Sequence, residues 1–341
     1  MSGLSVGGTA PFGSPAAGFP HPSAPIPVQG AGVGSVVRVA LGDSGFHVFP
    51  LFLGAAEFGW NVDIASSHAI LDTYAELGGN AIHTADSYSA GRSEYIVGQW
   101  LHSRGMRDDT VVAVRVGGHP DNPGLGSVSL VRAVEASLAR LMTDRIDVLY
   151  LDATSDRGAV LEDTLATAEW LVESGKVRAV GAYGYTAAQL VEARILSSAG
   201  YPRVTVLDAP YNLLRREEFT GDLRLVAGAQ AMAFTPSHAL EHGFLAGGHR
   251  TRPSVVRSVR GAQLTANLNR RGSRALRALD AVGAELGLPD AAVAVAWLLA
   301  QKVVTAPIVN AVAPENVVEL IQGVGARLSR AHLADIARAV E

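Results

Sequence analysis

Gly79-Asn80-Ala81-Ile82-His83-Thr84-Ala85-Asp86-Ser87-Tyr88 contains a short apolar run, Asn80–Thr84, whose carboxyl end, His83–Tyr88, is rich in polar side chains. Such a run reads as a strand, and the amphipathic stretch Ile64–Leu77 before it reads as a helix. Working outward, the same alternation recurs. It predicts strands at Leu51–Gly54, Val111–Val116, Ile146–Leu151, Val177–Ala182, Val204–Leu207, Ala231–Thr235 and Val304–Ile308. Helices are predicted over Leu130–Leu141, Leu161–Ser174, Ala187–Ala199 and Ser273–Leu286. Eight strands with helices between most of them suit one closed (β/α)8 TIM barrel, typically ~250 residues, better than an open sheet. No Gly-x-Gly-x-x-Gly turn follows an early strand, which counts against a Rossmann-type fold. Ahead of the first stave, Val36–Leu41 and Phe46–Phe49 flank a tight turn and predict an N-terminal β-hairpin.

Composition narrows the chemistry. Among 341 residues there is no cysteine, which excludes disulfides, thiol catalysis and cysteine-ligated metal sites. A formal net charge of -4 argues against a nucleic-acid or membrane-surface partner. Residues 1–35 lack charge and are rich in Gly and Pro, so they are expected to form a disordered leader to a single barrel over 36–341. With no signal-peptide pattern and no apolar run of membrane-spanning length, a cytoplasmic protein is expected. From His242 to Leu279 there is no acid but a run of arginines, read chiefly as solvated surface and alternatively as a clamp for an anionic ligand.

The opening stretch, together with Gly91-Arg92-Ser93-Glu94, resembles the second-strand signature of the aldo-keto reductase family. Leu41-Gly42-Asp43-Ser44-Gly45, Phe58-Gly59-Trp60, Gly175-Lys176-Val177-Arg178, Pro210-Tyr211-Asn212-Leu213-Leu214 and Gly243-Phe244-Leu245 resemble further family motifs in the right order. The resemblance implies a (β/α)8 barrel and an oxidoreductase that reduces a carbonyl with hydride from NADP(H). It also implies a tetrad of Asp, Tyr, Lys and His, in which the tyrosine protonates the carbonyl oxygen. The four positions hold His83, Tyr88, Arg115 and Asp152, so three differ while cation, anion, imidazole and phenol all remain. Tyr183-Gly184 replaces the usual Ser-Asn pair, Asp208 the usual glutamine, and the segment Val309–Asn316 contains no basic residue for a 2′-phosphate.

These departures lead to an expectation of acid/base chemistry on a small oxygenated molecule, such as dehydration, epimerisation or cyclisation, in place of standard NADPH-dependent reduction. His83, with an unperturbed pKa of ~6.5, is the expected acid/base group. Tyr88 would protonate an oxygen, Arg115 would hold an oxyanion, and Asp152 would orient its partner. Trp60, Tyr183 and Phe234 are candidate substrate contacts. Tyr211, Thr235 and Glu319 are candidate cofactor contacts, and no metal is expected. Two alternatives remain, an NAD(P)H-dependent oxidoreductase with an atypical site and a non-catalytic binding or regulatory barrel. The partner in each case is a small molecule.

Overall fold

The computed structural model describes residues 37–156 and 158–341. The expected leader therefore lies outside the described residues. The hairpin is present as β1 (Val39–Ala40) and β2 (His47–Val48), paired antiparallel. Eight parallel strands follow: β3 (Phe52–Gly54), β4 (Ala81–Ala85), β5 (Val111–Val116), β6 (Ile146–Asp152), β7 (Val177–Tyr183), β8 (Val204–Asp208), β9 (Ala233–Phe234) and β10 (Ile308–Asn310). Their lateral order is β10-β3-β4-β5-β6-β7-β8-β9. The sheet curls back on itself where Thr305 N–H donates to the Phe234 carbonyl and Ile308 N–H to the Pro236 carbonyl, both at 2.8 Å.

The last stave starts later than the expected Val304–Ile308. Pro307 has no N–H for the ladder, and only its carbonyl is used, by Phe52 N–H at 2.9 Å. The seventh is shorter than Ala231–Thr235, because Ala231 adopts φ 52 and leaves the extended region.

Side chains alternate across each stave, and that alternation sorts the barrel into two apolar layers. Phe52, Ala81, Ala113, Val148, Tyr150, Ala179, Val206, Ala233 and Ile308 pack together inside. Leu53, Ile82, Val112, Leu149, Val180, Leu207 and Phe234 pack outward among the helices. Small residues inside make room for one large ring: a Cβ on Gly181 would lie 2.8 Å from Tyr150 Cδ1. Leu41 and Val48 from the hairpin join the inner cluster at the amino end. There Gly42, at φ 54, sits so tightly that a Cβ would come 2.8 Å from the Thr205 carbonyl oxygen.

Outside the barrel, helices begin at identifiable caps. Asp63 accepts Ser66 N–H to start the helix Ile64–Glu76, and Thr186 with Gln189 forms a capping box at Ala187–Ser198. Where helix Arg92–Arg104 crosses Ser127–Leu141, Gly98 allows contact so close that a Cβ would meet the Leu141 backbone at 2.6 Å. Backbone cannot step aside as a side chain does. Gly98→Ala should destabilise the protein by about 1–3 kcal/mol despite its better helix propensity, as read by denaturant unfolding.

Candidate active site

The same alternation carries a polar set to the carboxyl rim of the barrel. Asp152 is paired in register with Tyr183, and Tyr183 with Asp208, so three neighbouring strands bring these residues to one level. Arg115 enters from β5 and His83 from β4, both at inward positions. Tyr88 follows β4 in the loop above. Over this rim opens a cleft of about 880 Å³ lined by, among others, Tyr88, Arg115, Tyr183, Trp60 and Glu319.

Arg115 stands at the centre. Its Nε lies 3.6 Å from Asp152 Oδ2, one terminal nitrogen is 3.5 Å from the Tyr88 hydroxyl, and its guanidinium stacks over the Tyr183 ring at 4.2 Å. Burial opposes its charge, but the surrounding Tyr88, Asp208, Tyr183 and Asp152 outweigh burial and hold it protonated. Asp152 is fixed in turn: its Oδ1 accepts the backbone N–H groups of Thr154, at 2.9 Å, and Ser155, at 3.2 Å, as well as the Thr154 hydroxyl. The Tyr88 hydroxyl is pushed up by burial and drawn down by the Arg115 charge. A phenol kept protonated beside a fixed cation is a proton donor whose conjugate base has a waiting counter-charge.

His83 is a neighbour of Tyr88, with ring centroids 6.2 Å apart, and of Tyr150, at 5.6 Å. The residue is 1% exposed, does not line the cleft, and neither ring nitrogen has a hydrogen-bond partner. Burial, helped by the Arg115 charge, pushes its pKa down to about 3. Where the unperturbed value put His83 near neutrality, burial favours the neutral imidazole, and the residue is not among those lining the cleft.

Three other expected contacts also lie elsewhere. Phe234 occupies an outward position and stacks on Phe219 in the helical layer, out of the cleft. Tyr211 is stacked on Trp297, with centroids 5.9 Å apart. Thr235 is buried, its hydroxyl 2.8 Å from that of Tyr150. Of the expected substrate contacts Trp60 and Tyr183 line the cleft, and of the expected cofactor contacts Glu319 does.

The site also contains groups that the residue reading did not assign. Asp208 is fully buried at the rim, and burial raises its carboxyl to about 6 against the pull of Arg115. His238 and His242 stand on the cleft wall with rings 4.8 Å apart, both lowered by burial. Arg260, from the arginine run, closes over the mouth: Nε donates to Glu57 at 2.8 Å and the guanidinium covers Trp60 at 4.9 Å. Arg250 pairs with Asp280 and Asp290, while Arg252, Arg257, Arg270, Arg274 and Arg277 are exposed. Strand parity was the signal that could have found Asp208.

Comparison with known proteins identifies the lineage. The profile described as "Aldo/keto reductase family" matches residues 50–341. The chain belongs to the aldo/keto reductase family. It is 32% identical to the aldo-keto reductase ausK of Emericella nidulans, with 86% of this chain and 78% of that protein covered. It is 29% identical to the norsolorinic acid reductase stcV of the same organism, over the same shares. It is also 28% identical to a probable voltage-gated potassium channel subunit beta of Oryza sativa subsp. japonica, covering 82% and 88%.

The family implies a nicotinamide cofactor, and the site can be tested for it. Tyr211, a candidate cofactor contact, is stacked on another ring, and Asp208, in place of the family's glutamine, is buried. Asn310, Asn316 and Glu319 line the far end of the cleft without a basic residue from 309–316. The segment 309–316 thus offers no cation to a 2′-phosphate, although Arg92 and Arg260 also line the cleft. No helix among the described residues is singly long and apolar enough to cross a membrane.

Proposed function

We propose that this aldo/keto reductase-family barrel acts on a small oxygenated molecule by delivering a proton from Tyr88 to a carbonyl or leaving-group oxygen, with Arg115 stabilising the charge that develops. The observation that carries the reading is the Tyr88 hydroxyl 3.5 Å from the Arg115 guanidinium, both on the floor of one cleft. Asp152 orients Arg115, and Tyr183 stacks on it to fix its plane. The balanced charge of the Arg115–Asp152 pair suits a neutral oxygen acceptor, and the reaction classes that fit are dehydration, epimerisation and cyclisation, in which the Tyr88 phenolate left beside Arg115 takes back the proton that the substrate gives up. His83 is a packing neighbour of the acid in this scheme and takes no proton. A cytoplasmic setting belongs to the same proposal.

A second reading, oxidoreduction with NAD(P)H, draws support from the names of the reductase relatives and from Glu319 at the cleft. One experiment separates the two. The protein is incubated with a panel of small hydroxy-ketones and phenolic ketones, with and without NADPH or NADH, and products are read by mass spectrometry. Conversion without nucleotide supports proton chemistry, and conversion that depends on nucleotide overturns it in favour of reduction. In either case Tyr88→Phe should lower turnover about a hundredfold or more, and an unchanged rate would remove Tyr88 as the acid.

A further inference from the structure

Asp208 is a buried titratable group that the proposed chemistry leaves unused. Its Oδ1 accepts the Ser237 N–H at 3.0 Å, while Oδ2 has no hydrogen-bond partner and the residue is 0% exposed. Arg115 from β5 and Asp152 and Tyr150 from β6 act on it, and Tyr183 is its register partner on β7. The Tyr150 hydroxyl is already engaged with Thr235, and His83 is neutral. Asp152 is therefore within ion-pair distance of the Arg115 guanidinium, while Asp208, one strand beyond Tyr183 in register, is reached only by its field. Asp152 has three local donors besides Arg115, whereas Asp208 has the Ser237 N–H, the influence of the Ser237 hydroxyl and the field of Arg115.

We propose that Asp208 is a positioning residue that sets the acidity of Tyr88 through Arg115: ionised, it draws on the field of the guanidinium, and protonated, it leaves that field to the phenol. The inference rests on the reading of Tyr88 as the site acid. The Tyr88 hydroxyl is influenced in the required sense, lowered by Arg115 and raised by Asp208. Arg260 also lowers it and Asp152 raises it, while His238 and His242 on the wall are held down by burial. The carboxyl of Asp208, raised to about 6, changes charge in the range where an enzyme works, so the strength of the site acid becomes tied to ambient pH.

The test needs no substrate. Ionisation of Tyr88 is followed by ultraviolet difference titration against Tyr88→Phe, in the native protein and in Asp208→Asn. Phenols ionise far above the Asp208 midpoint, so Asp208 is charged during the native titration, and removing that charge should lower the Tyr88 midpoint by about one pH unit, a tenfold gain in acidity. An unchanged or raised midpoint would overturn the proposal. Should Asp208→Asn fail to fold, carbon-13 tyrosine NMR of the intact protein supplies the reading: the Tyr88 resonance is expected to move as pH crosses about 6, and a flat resonance overturns the coupling. Because Tyr88→Phe turnover is measured separately, failure here leaves the role of Tyr88 as acid standing.

Discussion

Arg115→Leu is expected to cost about 3–5 kcal/mol of folding stability near pH 7, because removing one partner of a buried ion pair leaves its counter-charge without compensation. Here the loss is double. Asp152, 5% exposed, and Asp208, fully buried, both lean on this cation, and the stacking on Tyr183 goes with it. Guanidinium unfolding of the native protein and the variant measures the difference. Adding Asp208→Asn to Arg115→Leu should recover part of it, since the second substitution removes one stranded carboxylate. A loss below about 1 kcal/mol would mean that the two acids are solvated, and would undo the account of the rim as a closed charge cluster.

The second large effect concerns acid. His83, held at about 3 in the fold against ~6.5 in the unfolded chain, has a depressed pKa. Its contribution to stability is therefore fully present above about 6.5 and is lost as pH falls towards 3. Asp208 has the opposite sign: raised to about 6 from 3.8, it contributes stability that is fully present below about 3.8 and is lost as pH rises through 6. The two partly cancel in the native protein between about pH 4 and pH 6. His83→Phe removes the first and keeps the second, along with the ring packing against Tyr150 and Tyr88. Relative to the native protein, the variant should gain on the order of 2–3 kcal/mol between about pH 7 and pH 4.5, as read by urea unfolding at the two values. Parallel pH curves for the two proteins would show that His83 is hydrated and titrates normally.

The opening stretch at Asn80–Tyr88 carried the fold, because a strand that ends in polar residues ahead of a helix leaves a mark in the order of residues. The barrel, its hairpin and most staves were legible for that reason. What was less legible was direction. Phe234 follows Ala233 and precedes Thr235, so strict alternation already turns it away from the rim, yet its aromatic character suggested a substrate contact. His83 looked reactive because its ordinary pKa is useful. Burial, which decides the matter, comes with the Tyr88 and Tyr150 rings packed beside His83, and local sequence does not encode that. Asp208 is legible in the sequence only as a replacement for glutamine, because its place near the Arg115–Asp152 pair is a relation between β5, β6 and β8 that spans almost a hundred residues. Pro307 and the positive φ of Ala231 trimmed the last two staves for reasons of backbone chemistry, without altering their order.

The hairpin at the amino end has a consequence for traffic. Leu41 and Val48 stopper that end, and Phe52 and Tyr150 fill the shaft above them. The vessel is blind, with the carboxyl rim as its mouth. In the proposed reaction, reactant and product must then take turns at one doorway beside Arg260 and Trp60, so a departing product and an arriving reactant exclude each other, and the rate of exchange is governed by how readily that doorway clears.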